Sequence, residues 1–138
     1  MISAVIATRN DEAMLVAALS PLVAAAVDGL VRELVVADAG SRDATLVIAD
    51  EAGAVMVSGD LAAGCAAARG PWLLIVTPQT RLYGDWLEKL RVHIEGHSGR
   101  DAMIVGSGIF ARPMAVLVKQ DRYAKAGKPV AARKIRLQ

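Results

Sequence analysis

The sequence predicts an α/β domain built on a mainly parallel β-sheet. Four short apolar runs, near residues 2–7, 33–37, 54–57 and 72–76, have the length and the polar boundaries of buried strands. Turn formers and then a helix-like segment follow each run. Alternation of this kind, four times over, calls for parallel strands joined by right-handed crossovers. The third observation is composition. Hydrophobic residues make up 54% of the 138 residues and aromatics only 4%, so the core consists mainly of Ala, Val, Leu and Ile.

Taken in order, Ile2 to Ala7 is the first strand, and it stops at Thr8-Arg9-Asn10-Asp11. Asn10 suits a helix N-cap, and Asp11 and Glu12 lie where the helix dipole favours negative charge. The helix that follows carries Met14, Leu15, Ala18, Leu19, Leu22 and Val23 on one face. Pro21 within it predicts a kink or the start of a second short helix. Glu33 to Ala37 is the second strand, and Asp38 to Asp43 is its turn. Ala44 to Ala52 reads as a helix capped by Asp43 and ended by Gly53. Ala54 to Val57 is the third strand, and Leu61 to Arg69 an Ala-rich helix ended by Gly70. Trp72 to Val76 is the fourth strand, and Asp85 to about Ile94 a helix with Trp86, Leu87 and Leu90 on its apolar face. Beyond Gly96 the pattern weakens. Ala102 to Val105 and Ala115 to Val118 suit strands, and Gln120 to Ala126 a short helix. With no repeat, low-complexity tract or linker, residues 1–138 read as a single domain.

Several function classes are disfavoured. The lone cysteine, Cys65, leaves no partner for an internal disulfide and excludes a Cys-rich zinc module. The scarcity of aromatics argues against a stacking reader of nucleic acid. No Lys or Arg precedes the first apolar run, which therefore does not resemble a secretory signal. No run reaches the roughly 20 residues of a spanning helix. A cytoplasmic protein is expected. The net charge of +2 is unevenly spread: residues 1–118 carry a balance of −4 and residues 119–138 one of +6. Such a basic tail is either a solvated end or a surface for phosphate or an anionic membrane. A nucleic-acid partner is not expected.

In an open parallel sheet, ligands bind beyond the carboxyl ends of the strands. The loops Ala7 to Asp11, Asp38 to Asp43 and Thr77 to Leu82 therefore hold the candidate chemistry. The first two lead into helix N-termini, whose free N–H groups suit an anion. Asp38, ending a strand, suits hydrogen bonds from a base or ribose; Asp38 and Ser41 equally suit the organisation of the turn itself. His93 and His97 share a spacing used by zinc sites but lack a third ligand, and read as solvated histidines. Cys65, Met14, Met56, Met103 and Met114 read as core filler.

Three blocks in order resemble family 2 glycosyltransferases. They are Val5-Ile6-Ala7-Thr8-Arg9-Asn10-Asp11-Glu12, then Val35-Val36-Ala37-Asp38-Ala39-Gly40-Ser41-Arg42-Asp43-Ala44-Thr45, then Ala67-Ala68-Arg69-Gly70-Pro71-Trp72-Leu73-Leu74. The similarity runs on through Asp85-Trp86-Leu87. It implies a GT-A-like α/β/α sandwich that binds a nucleotide or nucleotide sugar at the carboxyl ends of the first strands. By the same resemblance Thr8, Arg9 and Asp38 surround the nucleotide.

The departures from the family pattern carry their own implications. Arg9 stands where a tyrosine is frequent, and Ala39 where a second acid is usual. The family's metal-holding Asp-x-Asp aligns with Thr77-Pro78-Gln79, which offers no carboxylate to a hard cation. No divalent metal is therefore expected, and Arg81 would supply charge to the diphosphate. After about residue 96 the acceptor-side region is shortened. Gly108 to Phe110, Val116 to Lys119 and Tyr123 to Gly127 look like the family's late strand and following helix, and no acid matches its catalytic base. The expectation is a protein related to nucleotide-sugar-dependent transfer with impaired catalysis. The alternative is a non-catalytic binding module on the same fold. An edge strand or apolar face left by the shortened half makes a homodimer the expected self-association.

Overall fold

The structure is a computed structural model that describes residues 1–96, 100–106, 113–126 and 133–137. Gly108 to Phe110, His97 and Gly127 lie outside the described residues. The elements run β1 (Ile2–Thr8), α1 (Glu12–Asp28), β2 (Val31–Asp38), α2 (Thr45–Glu51), β3 (Val55–Ser58), α3 (Leu61–Ala67), β4 (Trp72–Val76), α4 (Trp86–Gly96), β5 (Ala102–Val105), β6 (Pro113–Lys119), α5 (Gln120–Ala126) and β7 (Arg133–Arg136). They form one seven-stranded sheet in the order β3-β2-β1-β4-β6-β5-β7. The first four strands are mutually parallel. β6 runs antiparallel to both β4 and β5, and β7 is parallel to β5. The mainly parallel α/β sandwich is as the sequence predicts. Among the described residues no helix is long and apolar enough to cross a membrane.

Burial explains why the central strands read as continuous apolar runs. Alternate residues of a strand point to opposite faces. On β1, Ile2, Ala4 and Ile6 join the large cluster that includes Leu15, Leu19 and Leu22 of α1 and Leu90 of α4. Val5 points the other way, into a smaller cluster with Val35, Leu73, Val118 and Cys65 of α3. With helices on both faces, no position of β1 can be polar unless it is bonded. Ser3 meets that condition: its Oγ donates to Glu33 Oε2 at 2.6 Å and accepts from Gly70 N–H at 2.8 Å.

α3 sits close to the sheet because Gly64 has no side chain. A Cβ there would lie 2.9 Å from Val5 Cγ1 and 3.1 Å from Ala37 Cβ. Gly64→Val is therefore expected to destabilise the fold by about 1–3 kcal/mol through overpacking, read as a lower midpoint in urea unfolding.

Four expectations are corrected. α1 is one helix from Glu12 to Asp28, so Pro21 does not start a second one. Its buried face, Leu15, Ala18, Leu19, Leu22 and Ala25, is continuous across the proline, and packing against the sheet holds both turns together. The residue flanking α1 is Asp11, not Asn10, which takes φ 53° instead. Met56 is 44% exposed on the edge strand β3 rather than packed in the core. His93 is fully buried rather than solvated, with Nε2 2.7 Å from the Arg100 carbonyl.

Among the described residues the basic tail is partly built into the fold. Lys119 lies over the Trp72 ring, 5.4 Å from its centroid. Arg122 pairs with the fully buried carboxylate of Asp101. Arg133 to Arg136 form β7, and Ile135 and the following Leu137 are buried.

Candidate functional site

The site forms where β1 and β2 end side by side. Thr8 and Asp38 are in register, and the Ala39 N–H donates to the Thr8 carbonyl at 3.1 Å. Both side chains are nearly buried, at 5% and 8% exposure. Each strand hands over to a helix through a polar loop, as βαβ geometry requires.

The two loops are joined to each other by side chains of both. Asn10 N–H donates to Ser41 Oγ at 2.9 Å, and Asn10 Oδ1 accepts from Arg42 N–H at 2.7 Å. Asp11 N–H donates to Thr45 Oγ1 at 3.0 Å. Asp43 accepts from Glu12 N–H at 3.3 Å and from Thr45 N–H at 2.9 Å, so it serves the N-termini of both α1 and α2. Glu12 returns a carboxylate oxygen to Ala44 N–H at 3.3 Å. The left-handed backbone of Asn10, a conformation Asn tolerates better than most residues, lets one side chain face the opposite loop.

Asp38 is the centre of its own turn. Oδ2 accepts from Gly40 N–H at 3.1 Å and Ser41 N–H at 2.9 Å, and Oδ1 accepts from Ser41 Oγ at 2.5 Å. Burial alone would push its pKa up. The Ser41 hydroxyl and the Ser41 and Gly40 N–H groups outweigh that and hold it below the ordinary carboxylate range. Asp43 is lowered too, chiefly by its hydrogen bond with Thr45. Groups whose folded pKa is depressed stabilise the folded loops above the unfolded pKa and lose that contribution as pH falls through the folded one. Amide protection of residues 40–45 is therefore expected to be flat from neutrality down to about pH 5 and to fall below about pH 4. Hydrogen exchange across a pH series reads it.

Thr8, Arg9 and Asp38 thus come together. Thr8 Oγ1 donates to Asp11 Oδ2 at 2.6 Å, and the same oxygen accepts from Arg9 N–H at 3.0 Å. Arg9 is exposed at the rim, and so is Arg42. Arg81 is placed differently. It rides on the loop after β4, the other neighbour of β1, and its Nη1 donates to the Pro78 carbonyl at 2.6 Å and the Thr80 carbonyl at 2.9 Å. Sequence reasoning missed Asn10 as a bridge, and Arg42, Asp43 and Thr45 as members of the site. Asn10, Asp43 and Thr45 are short polar residues able to bond main chain close by, but nothing local marks a bond between the two loops, and Arg42 joins through its N–H.

The exit of β4 does not fit a divalent cation. Thr77 N–H donates to Thr80 Oγ1 at 3.0 Å, and the two hydroxyls are 3.3 Å apart. Thr80 Oγ1 donates in turn to the Met114 carbonyl at 2.6 Å, pinning this turn to β6. Neutral hydroxyls and the Gln79 amide supply no anionic oxygen. Among the described residues no cluster of three His, Cys, Asp or Glu side chains is placed to hold a metal.

Comparisons with known proteins bear on this geometry. The model of the family described as glycosyl transferase family 2 matches residues 3–112. Glucosyl-3-phosphoglycerate synthase from Mycobacterium tuberculosis, solved with Mn2+ and UDP-glucose, is similar with a TM-score of 0.74 and 18% identity. That match covers 99% of this chain and 69% of the other. S. aureus TarS is similar with a TM-score of 0.69 and 16% identity, covering 91% of this chain and 49% of the TarS chain. TarS solved with UDP-GlcNAc gives the same TM-score and identity, and 47% of that chain is covered. The chain thus spans about half the length of TarS. At these identities the likeness is one of fold. No curated protein matches the sequence.

Proposed function

The chain belongs to glycosyl transferase family 2, and we propose that it binds a nucleotide sugar at the carboxyl ends of β1 and β2, with sugar transfer impaired. The observation that carries this reading is the joined pair of loops around Asp38, an ionised carboxylate at the end of a parallel strand beside Thr8. Asp38 and Thr8 recognise the base and ribose. Arg9, at the rim, and Arg81, after β4, supply positive charge to the diphosphate in place of a metal. Arg81 does so with the guanidinium nitrogens its own loop leaves open. Without a carboxylate-held metal the leaving diphosphate is poorly stabilised, which is the physical ground for impaired transfer.

A second reading is a non-catalytic binding module on this fold. It is favoured by one observation: both Asp38 oxygens already accept hydrogen bonds within their own turn. Chemical-shift perturbation of the labelled chain separates the two. UDP- and GDP-sugars are expected to shift amides of residues 8–11 and 38–43, with little turnover. No shift there with any nucleotide would favour the second reading.

A further inference from the structure

Asn10 is exposed, so core packing does not fix it. Its main chain and its side chain are nevertheless both committed to the opposite loop. The N–H donates to Ser41 Oγ at 2.9 Å, and Oδ1 accepts from Arg42 N–H at 2.7 Å. The backbone takes φ 53° there, in a region where Asn is enriched among residues that carry a side chain.

Both bonds act on Asp38. The Ser41 hydroxyl oxygen accepts from Asn10, and its single proton is left to give. It goes to Asp38 Oδ1. The chain Asn10 N–H, Ser41 Oγ, Asp38 Oδ1 thus runs in one direction, from the first loop into the carboxylate, and each bond polarises the next. Three successive N–H groups of the second turn are divided to the same end. Those of Gly40 and Ser41 point to Asp38 Oδ2, and that of Arg42 crosses to Asn10.

The residue type fits this task. A neutral amide accepts from Arg42 without adding charge to loops that already hold the carboxyl groups of Asp11, Glu12, Asp38 and Asp43. Other bonds, from Asp11 N–H to Thr45 and between Asp43, Glu12 and Ala44, tie the two helix starts together without Asn10. Loss of the Asn10 side chain therefore loosens the rim of the site and not the fold.

We propose that Asn10 is the positioning residue of the nucleotide site, holding the Asp38 carboxylate in place beside Thr8 by locking the Ser41–Arg42 turn to the loop after β1. This role deepens the nucleotide reading and rests on it for the ligand; the lock itself rests on the hydrogen bonds.

Asn10→Gly keeps the left-handed backbone and the N–H and removes only the amide. In the full chain without ligand, Arg42 N–H is expected to exchange faster. The Asp38 carboxyl, followed by carbon-13 NMR, is expected to titrate nearer the ordinary carboxylate value. Titrated with UDP-glucose and GDP-glucose, the variant is expected to bind about three- to tenfold more weakly, as for one lost hydrogen bond. Its melting temperature is expected to match the parent's. Asn10→Asp is expected to restore the protection of Arg42 N–H but, through its added charge, not the binding. An Asp38 titration and an affinity unchanged by Asn10→Gly overturn the proposal. So does a melting temperature that falls in step with the affinity, which marks a residue that only holds the fold. A parent chain that binds neither nucleotide sugar overturns the nucleotide reading instead, and the ligand-free Asp38 titration still decides whether Asn10 sets the carboxylate.

Discussion

Asp38→Ala is expected to weaken nucleotide binding by roughly tenfold to a hundredfold, the cost of about 1.5–3 kcal/mol for losing a hydrogen bond to a charged acceptor. On the proposed reading the carboxylate has two tasks, and the substitution removes both. It ends β2 at the position where an open sheet presents its ligand. It also holds the turn, through Gly40 N–H, Ser41 N–H and Ser41 Oγ. Ser41→Ala separates the tasks. It removes one donor to Asp38 and the acceptor for Asn10 N–H but leaves the carboxylate in place. Its effect on affinity is expected to be smaller, about 0.5–1.5 kcal/mol. Calorimetric titration at neutral pH measures both. If Asp38→Ala binds as tightly as the parent, Asp38 organises a turn and nothing more.

Leu74→Ala is expected to cost about 2–5 kcal/mol of stability, and so to lower the melting temperature by roughly 10 °C or more. Leu74 is fully buried in the large cluster, on the strand between β1 and β6. It is in register with Ala4 on one side and Leu117 on the other, both also fully buried. Removing a fully buried Leu adds a cavity term to the lost transfer term. Leu46→Ala is the matched control. Leu46 is 40% exposed on α2, and its loss is expected to stay near 0.5 kcal/mol. Thermal unfolding followed by circular dichroism compares the two directly. Equal effects would contradict the placement of the core.

The parallel half of the fold was legible because burial on both faces leaves a continuous apolar run, as in Ile2 to Ala7 and Trp72 to Val76. The antiparallel half was less so. β7 has the alternation of a strand covered on one face, Arg133-Lys134-Ile135-Arg136-Leu137, but its charges drew the reading toward a solvated tail. Period-two burial of Ile135 and Leu137 was the signal. Pro21 misled because propensity is local and the buried face of α1 is not. The loops after β1 and β2, with Asp38, were singled out from strand ends, a topological rule that needs no contacts, and Thr8 from the family resemblance. The joining of the two loops was beyond sequence reasoning. Asn10 and Arg42 are 32 residues apart, and no local pattern announces a bond between them.

The central claim is a nucleotide held beside Thr8 and Asp38 without a metal on the β4 loop. Its most direct test is one titration of UDP- and GDP-sugars made twice, once with Mn2+ and once with chelator. The account predicts binding in both, with dissociation constants agreeing within about threefold, under 1 kcal/mol. Binding that chelator abolishes, or a manganese ion found among Thr77, Pro78 and Gln79 in a soaked crystal, would contradict it.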